Sequence, residues 1–208
     1  ITGIPIASAS GTSFYNGAIA LGNAHGDYYK RHLVPFGEYF PAPKLTRVVL
    51  AWFKVPMSDF SVGESTQENI TYKDLSIATF ICYEIVFPEE VSRLYNEANV
   101  LLVLSDDAWF GRSTAQAQQL QMTQMRAIEM GRYVISATNN GLTAVINPQG
   151  VITGQAAAYT QAALIAHVTP MKGKTFWMKH RMDPALLLWL ALLILSGFIC
   201  SRYREHNQ

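Results

Sequence analysis

The sequence predicts an α/β protein in which helices are layered on a β-sheet. Three observations support this fold class. Short β-like runs alternate with helical runs, most of the β-like runs are apolar, and half of the 208 residues are apolar while only 15% are charged. Alternation of this kind is typical of a sheet covered by helices. At this length the chain can bury one sizeable core.

The predicted strands are short runs that are apolar or that alternate between apolar and polar residues. The last hairpin is marked by the turn sequence Asn-Pro-Gln-Gly at positions 147–150, since proline and glycine interrupt regular structure. In chain order the predicted strands are Ile1–Ala7, Tyr15–Leu21, Leu75–Ile81, Val100–Ser105, Tyr133–Thr138, Leu142–Asn147, Val151–Gly154 and Ala162–Val168.

Two helices are predicted, at Glu84–Ala98 and Ser113–Gly131. The second begins with a serine that can serve as its N-cap and ends on a glycine. Within it, Met122, Met125 and Ile128 recur every three residues. This spacing predicts a stripe that faces the core, because methionine is a common filler of apolar interiors.

Residues 35–65 break the pattern with four prolines and an apolar patch, Val48–Phe53. A long irregular segment in an otherwise regular fold is often functional or lid-like. A short packed helix flanked by prolines is the alternative, and the two interpretations are compatible.

The C-terminal region contains an uncharged apolar run, Pro184–Cys200. As a helix it would extend roughly 25 Å, near the lower limit for crossing a bilayer. We therefore expect a main catalytic domain at 1–170, a juxtamembrane linker at 171–183, a transmembrane helix at 184–201 and a polar tail at 202–208. A buried core helix is the alternative for the apolar run, and the flanking positive charges do not fix an orientation.

Composition excludes several functions. The net charge is +1 and there is no basic stripe, so no nucleic-acid partner is expected. Two cysteines do not make a disulfide framework. The sequence contains no Gly-x-Ser-x-Gly elbow, no glycine-rich phosphate loop, no His-Glu-x-x-His motif and no Cys-x-x-Cys pair, so neither a metal nor a cofactor is predicted.

The stretch "FICYEIVFPEE" at 80–90 contains Cys82 at the end of an apolar strand and the start of a predicted helix. Open α/β sheets bind ligands at this edge, and a helix N-terminus lowers a thiol's pKa. A buried cysteine that packs as a small apolar residue is the more common case. From position alone both interpretations of Cys82 stay open.

A second candidate region is "YYKRHLVPFGEYF" at 28–40, which carries Lys30 and Glu38 on a loop shaped by proline and glycine. The two side chains could form a solvated ion pair. Beside a cysteine nucleophile, the lysine would instead stabilise an oxyanion and a carboxylate would transfer a proton. Spacing alone does not decide between these roles.

Taken together, "YNGAIAL", "YYKRHLVPFGE", "ICYEIVFPEE" and "SDDAWFG" occur in the order seen in the nitrilase superfamily. With "TNNGLTAVINPQG" they resemble one branch, the apolipoprotein N-acyltransferases of bacterial inner membranes, over essentially the whole chain. Members of that branch flank a periplasmic nitrilase-like domain with membrane helices. The resemblance implies an αββα sandwich and a Glu–Lys–Cys triad.

Residue by residue, the resemblance implies that Cys82 is the nucleophile and Lys30 the catalytic lysine. The backbone N–H of Tyr83 would join the lysine in holding the oxyanion. Glu38 matches a second acidic residue lining the family's site, and Glu84 matches the acidic residue two positions after the nucleophile.

Trp109 and Phe110, in "DAWFG", match a substrate-binding loop beside the family's active site. The implied reaction moves a fatty acyl group from a phospholipid, through a cysteine thioester, to the α-amine of the S-diacylglyceryl-cysteine of a lipoprotein. The implied location is the bacterial inner membrane, with the catalytic domain facing the periplasm. The alternatives are a nitrilase-type hydrolase of a small amide or nitrile and a non-catalytic membrane-anchored binding module.

One feature departs from the family pattern. The family's general-base glutamate lies well upstream of the lysine, but none of the 29 residues before Lys30 is glutamate, and the chain starts at Ile1. We expect the base and the family's N-terminal membrane helices on sequence that precedes this chain.

Overall fold

The computed structural model describes residues 1–41, 60–94, 97–180 and 183–206. The chain divides into two compact units, Ile1–Lys172 and Gly173–Gln208. The predicted apolar patch Val48–Phe53 lies outside the described residues. The first unit contains all nine strands of the described part of the chain.

The strands form two sheets with different pairing. The first sheet is antiparallel throughout, in the order β1-β2-β3. The second has the order β4-β5-β6-β7-β8-β9, with β5, β6 and β7 parallel and the outer pairs antiparallel. The bounds are β1 Thr2–Ala7, β2 Phe14–Ile19, β3 Asp27–Tyr29, β4 Ile70–Tyr72, β5 Leu75–Ile81, β6 Val100–Asp106, β7 Tyr133–Asn139, β8 Ala144–Ile146 and β9 Ile152–Gln155.

The core of the first unit lies around the parallel strands. Strands β5 and β6 are buried along most of their length, as expected for strands covered on both faces. The two sheets face each other, since β2 packs against β5 and β1 against β6. The predicted α/β class is confirmed, with two packed sheets and a helical layer that includes the long helix following β6.

The helical segment after Cys82 is broken where a single helix was predicted. A 3-10 helix spans Cys82–Val86, and the α-helix α1 begins only at Pro88 and ends at Leu94. Proline favours the first position of a helix because it has no N–H to donate, and it disfavours a helical conformation in the residue before it. The prediction of one continuous helix from Glu84 is therefore wrong.

Strand β6 leads into a second 3-10 helix, Asp107–Phe110, and then into α2, Ala115–Met130. The predicted C-terminal glycine is confirmed, because Gly131 adopts a left-handed φ of 60° and ends the helix, a role that glycine fills without strain. The predicted N-cap is wrong by one residue. Thr114 holds that position, while Ser113 Oγ accepts a bond from Ala115 N at 3.3 Å.

The methionine stripe of α2 was predicted to face the core, and that prediction is wrong. Met122, Met125 and Ile128 are all exposed. The buried face consists of Gln116, Leu120, Thr123, Arg126, Ala127 and Met130. Its three- and four-residue steps follow the helical period. Several of its members are polar, so apolar content alone pointed to the wrong face.

Substitution on the two faces of α2 should therefore have different costs. Met125→Gln should change the free energy of unfolding by less than about 0.5 kcal/mol, because an exposed side chain loses little burial. Met130→Ala should cost about 2–5 kcal/mol, because it leaves a cavity in the core. Chemical denaturation of both variants measures the difference, and equal losses would contradict the observed orientation.

The predicted strand Ala162–Val168 is also wrong. The segment pairs with none of the described strands, and most of its side chains are exposed, with Ile165 90% exposed. A strand of a sheet needs a paired neighbour and usually a face to bury. This run has the composition of a strand, but it has neither a paired neighbour nor a face to bury.

The second unit contains two helices, α3 Phe176–His180 and α4 Asp183–His206. The leucines and isoleucine between Leu186 and Leu195 are large apolar side chains that remain exposed. Within the described residues, no helix satisfies the combined requirements of length and hydropathy for crossing a membrane. Helix α3 lies inside the predicted linker 171–183, and helix α4 continues through most of the predicted polar tail 202–208.

Candidate active site

Cys82 is placed by the register between the parallel strands β5 and β6. Ile81, the last residue of β5, is aligned with Leu104, so Cys82 emerges beside Ser105. Cys82 begins the 3-10 helix with a left-handed φ of 53°. Residues other than glycine rarely adopt this conformation, and where they do the strain is often functional. The side chain is partly buried.

Lys30 and Glu38 form a close, largely water-excluded ion pair. Lys30 Nζ lies 2.9 Å from Glu38 Oε1 and 2.8 Å from Oε2, and the two side chains are 1% and 13% exposed. The lysine backbone is fixed on both sides, since its N–H donates to Asn16 O at 2.8 Å and its carbonyl accepts from Gly63 N at 2.9 Å. A solvated pair was one of the two sequence interpretations, and the burial does not fit it.

Glu38 is held by two further donors besides the lysine. Asn16 Nδ2 donates to Oε1 at 2.6 Å, and the backbone N–H of Val34 donates to Oε2 at 2.7 Å. Asn16 lies on β2 and was not singled out from the sequence. Nothing in its local pattern distinguishes it, because its role depends on the loop that returns Glu38 to the strand.

Glu84 is a fully buried acceptor that ties two segments together. Its Oε1 accepts from Tyr28 Oη at 2.8 Å and from the backbone N–H groups of Arg31 and His32 at 2.8 and 3.2 Å. Its Oε2 accepts from Ile81 N at 2.7 Å. Burial raises the pKa of the carboxyl, and these four bonds oppose that shift. Glu84 thereby fixes the Lys30 segment to the turn that carries the cysteine.

The thiol of Cys82 is subject to opposing influences. Burial raises its pKa most strongly, a hydrogen bond with Ser105 and the ammonium of Lys30 lower it, and the carboxylates of Asp107 and Glu38 raise it. The net direction is upward, so the expected lowering by a helix N-terminus is wrong. The helix there is a single 3-10 turn, whose dipole is too short to outweigh desolvation.

Three polar residues beside the thiol were not found from the sequence. Ser105 Oγ donates to Asp107 Oδ1 at 2.6 Å and accepts from Gln119 Nε2 at 3.0 Å. Ser105 and Asp107 are buried. Burial raises the pKa of the Asp107 carboxyl, whereas the bond from Ser105 lowers it. For Ser105 and Asp107 the usable signal was their position at the end of β6, the strand adjacent to the one that delivers Cys82, whereas Gln119, on α2, gave no such signal.

Tyr83 packs in a small aromatic cluster next to the thiol. Its ring meets His32 edge-on at 5.6 Å and Phe87 at 4.9 Å between centroids, and His32 stacks on Phe87 at 3.7 Å. His32 Nδ1 also lies 2.8 Å from Glu90 Oε1. The cluster fixes the turn from which the backbone N–H of Tyr83 is predicted to act.

Trp109 and Phe110 lie on the 3-10 helix after β6, and Trp109 is 84% exposed. The end of that helix is anchored from two directions. Tyr159 Oη donates to Gly111 O, and Gln116 Nε2 donates to the same oxygen at 3.0 Å. An exposed tryptophan on an anchored turn can contact a ligand without the turn having to become ordered first.

A cleft of about 650 Å³ lies elsewhere, against Tyr15, Tyr29 and Gln67. Tyr29 points to the opposite side of β3 from the buried Tyr28, as successive residues of a strand do, so this cleft is separate from the thiol. In the described ranges, no three histidine, cysteine, aspartate or glutamate side chains come together as a metal site.

The comparisons with known proteins first define a class. The sequence profile of the carbon-nitrogen hydrolase family matches residues 1–174, and the chain belongs to that family. Crystal structures give the same fold. The carbon-nitrogen hydrolase of Helicobacter pylori G27 superposes with a TM-score of 0.57 at 18% identity, over 78% of this chain and 58% of that one. Saccharomyces cerevisiae Nit3, of the nitrilase superfamily, gives 0.54 at 20% identity, over 75% and 54%.

Within that class the chain is similar to apolipoprotein N-acyltransferases. It is 43% identical to the protein of that name from Azotobacter vinelandii, over 99% of this chain and 40% of the relative. The corresponding protein of Pseudomonas aeruginosa strain PAO1 is 44% identical over 92% of this chain and 39% of its own length. That of Coxiella burnetii is 41% identical over 94% and 40%. The chain thus spans about two-fifths of these relatives.

Proposed function

We propose that this chain carries the catalytic cysteine of an acyltransferase that acylates the N-terminus of bacterial lipoproteins. The observation that carries the proposal is the similarity to apolipoprotein N-acyltransferases along almost the whole chain. The geometry of Cys82 supports it, because its backbone has a strained left-handed φ and the ammonium of the buried Lys30 favours the thiolate. The acyl donor is a phospholipid, and the acceptor is the α-amine of an S-diacylglyceryl-cysteine.

In the first half-reaction the thiolate of Cys82 attacks the carbonyl carbon of a phospholipid ester. An S–C bond forms and negative charge develops on the carbonyl oxygen, where the ammonium of Lys30 and the backbone N–H of Tyr83 stabilise it. The C–O bond to glycerol then breaks, and the oxygen of the departing lysophospholipid takes the proton that the Cys82 thiol gave up. The close contact of Glu38 with Lys30 holds the ammonium in place.

In the second half-reaction the α-amine of the lipoprotein attacks the thioester carbonyl. A C–N bond forms, the C–S bond breaks, and the thiolate is regenerated as the nitrogen loses a proton. A thioester suits this step because it is reactive enough for an amine to open it. Trp109, exposed on its anchored turn, is positioned to contact the acyl chain or the lipoprotein.

We place the enzyme at the bacterial inner membrane, with the catalytic domain on the periplasmic side. Support comes from the apolar run between Leu186 and Leu195, whose side chains are exposed in the second unit. Exposed apolar surface of this extent on one helix marks a binding surface. A membrane supplies both the phospholipid donor and the lipid-modified acceptor.

The test is to trap the acyl-enzyme. The protein is incubated with a phospholipid bearing an isotope-labelled acyl chain, and peptides are analysed by mass spectrometry. The expected result is the labelled acyl group on the peptide containing Cys82. Cys200, the other cysteine of the chain, provides the matched control: Cys200→Ala should retain the adduct, and Cys82→Ala should lose it.

Two results would overturn the proposal. One is acylation that persists in Cys82→Ala. The other is turnover of short soluble amides or nitriles with no adduct from phospholipid, which would favour a hydrolase on the same scaffold.

A further inference from the structure

We propose that His32 and Glu90 are a pair of positioning residues that keep the backbone N–H of Tyr83 directed at the oxyanion of the reacting carbonyl. This inference rests on the proposed function only in treating Cys82 as a nucleophile that attacks a carbonyl carbon. Neither side chain of the pair touches the reacting atoms. Both act through the turn that carries the cysteine.

His32 contacts that turn with its backbone and with its ring. Its backbone N–H donates to Glu84 Oε1 at 3.2 Å. Its ring stacks on Phe87, with 3.7 Å between the centroids and 19° between the planes, and meets the ring of Tyr83 edge-on at 5.6 Å. Phe87 also meets Tyr83 edge-on, at 4.9 Å. The ring of Tyr83 is therefore packed against two others, one of which comes from the segment that carries Lys30.

Glu90, on α1, sets the orientation of the imidazole. His32 Nδ1 lies 2.8 Å from Glu90 Oε1. An ionised carboxylate can only accept, so the hydrogen of this bond is on Nδ1. Without the bond the imidazole could rotate, because the torsion that turns such a ring is broad. With Nδ1 bound to Glu90, the ring is held in the plane in which it stacks on Phe87.

Folding stability does not explain the pair. The side chains of His32 and Glu90 are 32% and 25% exposed, and a partly exposed ion pair contributes little to stability. Glu90 Oε2 is buried and has no hydrogen-bond partner among the described residues, which costs free energy. Proteins tolerate such a cost mainly near functional sites.

The direction of the Tyr83 N–H depends on this packing. The N–H belongs to the planar peptide group that joins Cys82 to Tyr83. Cys82 has a strained left-handed φ of 53°, and such a conformation persists only where the surroundings determine it. The bond from Ile81 N to Glu84 fixes the residue before the thiol, and the packed ring of Tyr83 fixes the residue after it. Loss of that packing would let the peptide group rotate and turn its N–H away from the oxyanion.

The thiol and the other predicted oxyanion donor are held by different contacts. Lys30 Nζ is bound by Glu38 at 2.8 Å. The charges that act on the pKa of the thiol are those of Lys30, Asp107 and Glu38, and substitution of His32 or Glu90 leaves all three in place. Loss of the pair should therefore weaken the stabilisation of the oxyanion without changing the reactivity of the thiolate.

Two reagents separate these effects at Cys82, in a Cys200→Ala background at neutral pH. Iodoacetamide alkylates the thiolate as its C–I bond breaks and iodide leaves, and no oxyanion forms. p-Nitrophenyl acetate acylates the same sulfur through a tetrahedral oxyanion, after which the C–O bond breaks and p-nitrophenolate leaves. The ratio of the acylation rate to the alkylation rate therefore reports oxyanion stabilisation. Neither reaction requires a phospholipid.

Four substitutions and one double variant test the pair. His32→Phe keeps a flat ring but removes the Nδ1 donor, and Glu90→Leu keeps a side chain of similar size but removes the acceptor. Each should lower the ratio by about tenfold, less than the 10²–10³-fold cost of removing an oxyanion donor outright. The double variant should show no further loss, because both changes break the same bond. Glu90→Gln, which keeps an oxygen acceptor, should retain the ratio, and so should the control Glu89→Leu, at an exposed position on the same helix.

Thermal denaturation of each variant reports whether it is folded, and Glu90→Leu tests the pair even where His32→Phe does not fold. Three results would overturn the inference: acylation and alkylation rates that fall together, an unchanged ratio in folded Glu90→Leu, or a wild-type thiol that is alkylated but not acylated. The trapped phospholipid adduct remains a separate test. An adduct with an unchanged ratio would refute only the role of the pair, and a lowered ratio without an adduct would refute only the proposed function.

Discussion

Replacing Lys30 with methionine is expected to lower the rate of Cys82 acylation by about 10²–10³-fold, the usual cost of removing an oxyanion donor. Methionine has a similar length, so the buried pocket remains filled while the charge is lost. The thiol also loses the cation that favours its ionised form, and its pKa should rise. The measurements are the time course of the acyl adduct and the pH profile of iodoacetamide alkylation.

Lys172→Met is the matched control, because Lys172 is exposed in the described structure. It should leave both the acylation rate and the alkylation profile unchanged. An unaltered rate in Lys30→Met would show that the buried lysine serves only the packing of Glu38. The role of Lys30 in the proposed chemistry would then be withdrawn.

Replacing Glu84 with alanine is expected to lower the free energy of unfolding by about 3–5 kcal/mol. The substitution leaves the hydroxyl of Tyr28 and the backbone N–H groups of Arg31, His32 and Ile81 without their common acceptor. Each buried donor left unpaired costs about 1–3 kcal/mol. Relief of the desolvated carboxylate offsets part of this sum. Urea denaturation at neutral pH measures the loss.

Glu68→Ala provides the comparison, since Glu68 is exposed and its removal should cost less than about 0.5 kcal/mol. In Glu84→Ala the turn carrying Cys82 should also lose the hydrogen bonds that connect it to the segment carrying Lys30. If the two variants were equally stable, Glu84 would not be the link between these segments.

The centre of the fold could be predicted from the sequence. The outer strands β1, β2, β8 and β9 were also predicted, to within two residues at each end, but other peripheral segments were not. Strands β5, β6 and β7 were placed within one residue at each end. Strands β5 and β6 are buried along most of their length and are nearly continuous apolar runs, whereas β7 alternates between buried and less buried positions. Ala162–Val168 has a similar composition and is not a strand, because composition does not specify a neighbour to pair with. β4, only three residues long, gave no periodic signal and was missed.

For the site, the sequence identified the residues with distinctive motifs but not the contacts between them. Cys82, Lys30 and Glu38 were all recognised. In the structure Lys30 and Glu38 form an ion pair, and both charges act on the thiol of Cys82. Ser105 and Asn16 were missed, because an ordinary polar residue becomes part of a site only through strand register and loop closure. The upward pKa of the thiol was also unpredictable, since burial is a property of the folded chain.

The alignment of β5 with β6 makes the site sensitive to insertions and deletions. Adding or removing one residue anywhere in β5 would turn every side chain on one side of the change to the opposite face of the sheet while leaving the segment almost as apolar as before. Cys82 would then no longer emerge beside Ser105 or near Lys30. We therefore expect the spacing between Leu75 and Cys82 to be constrained more tightly than the identity of the apolar residues between them.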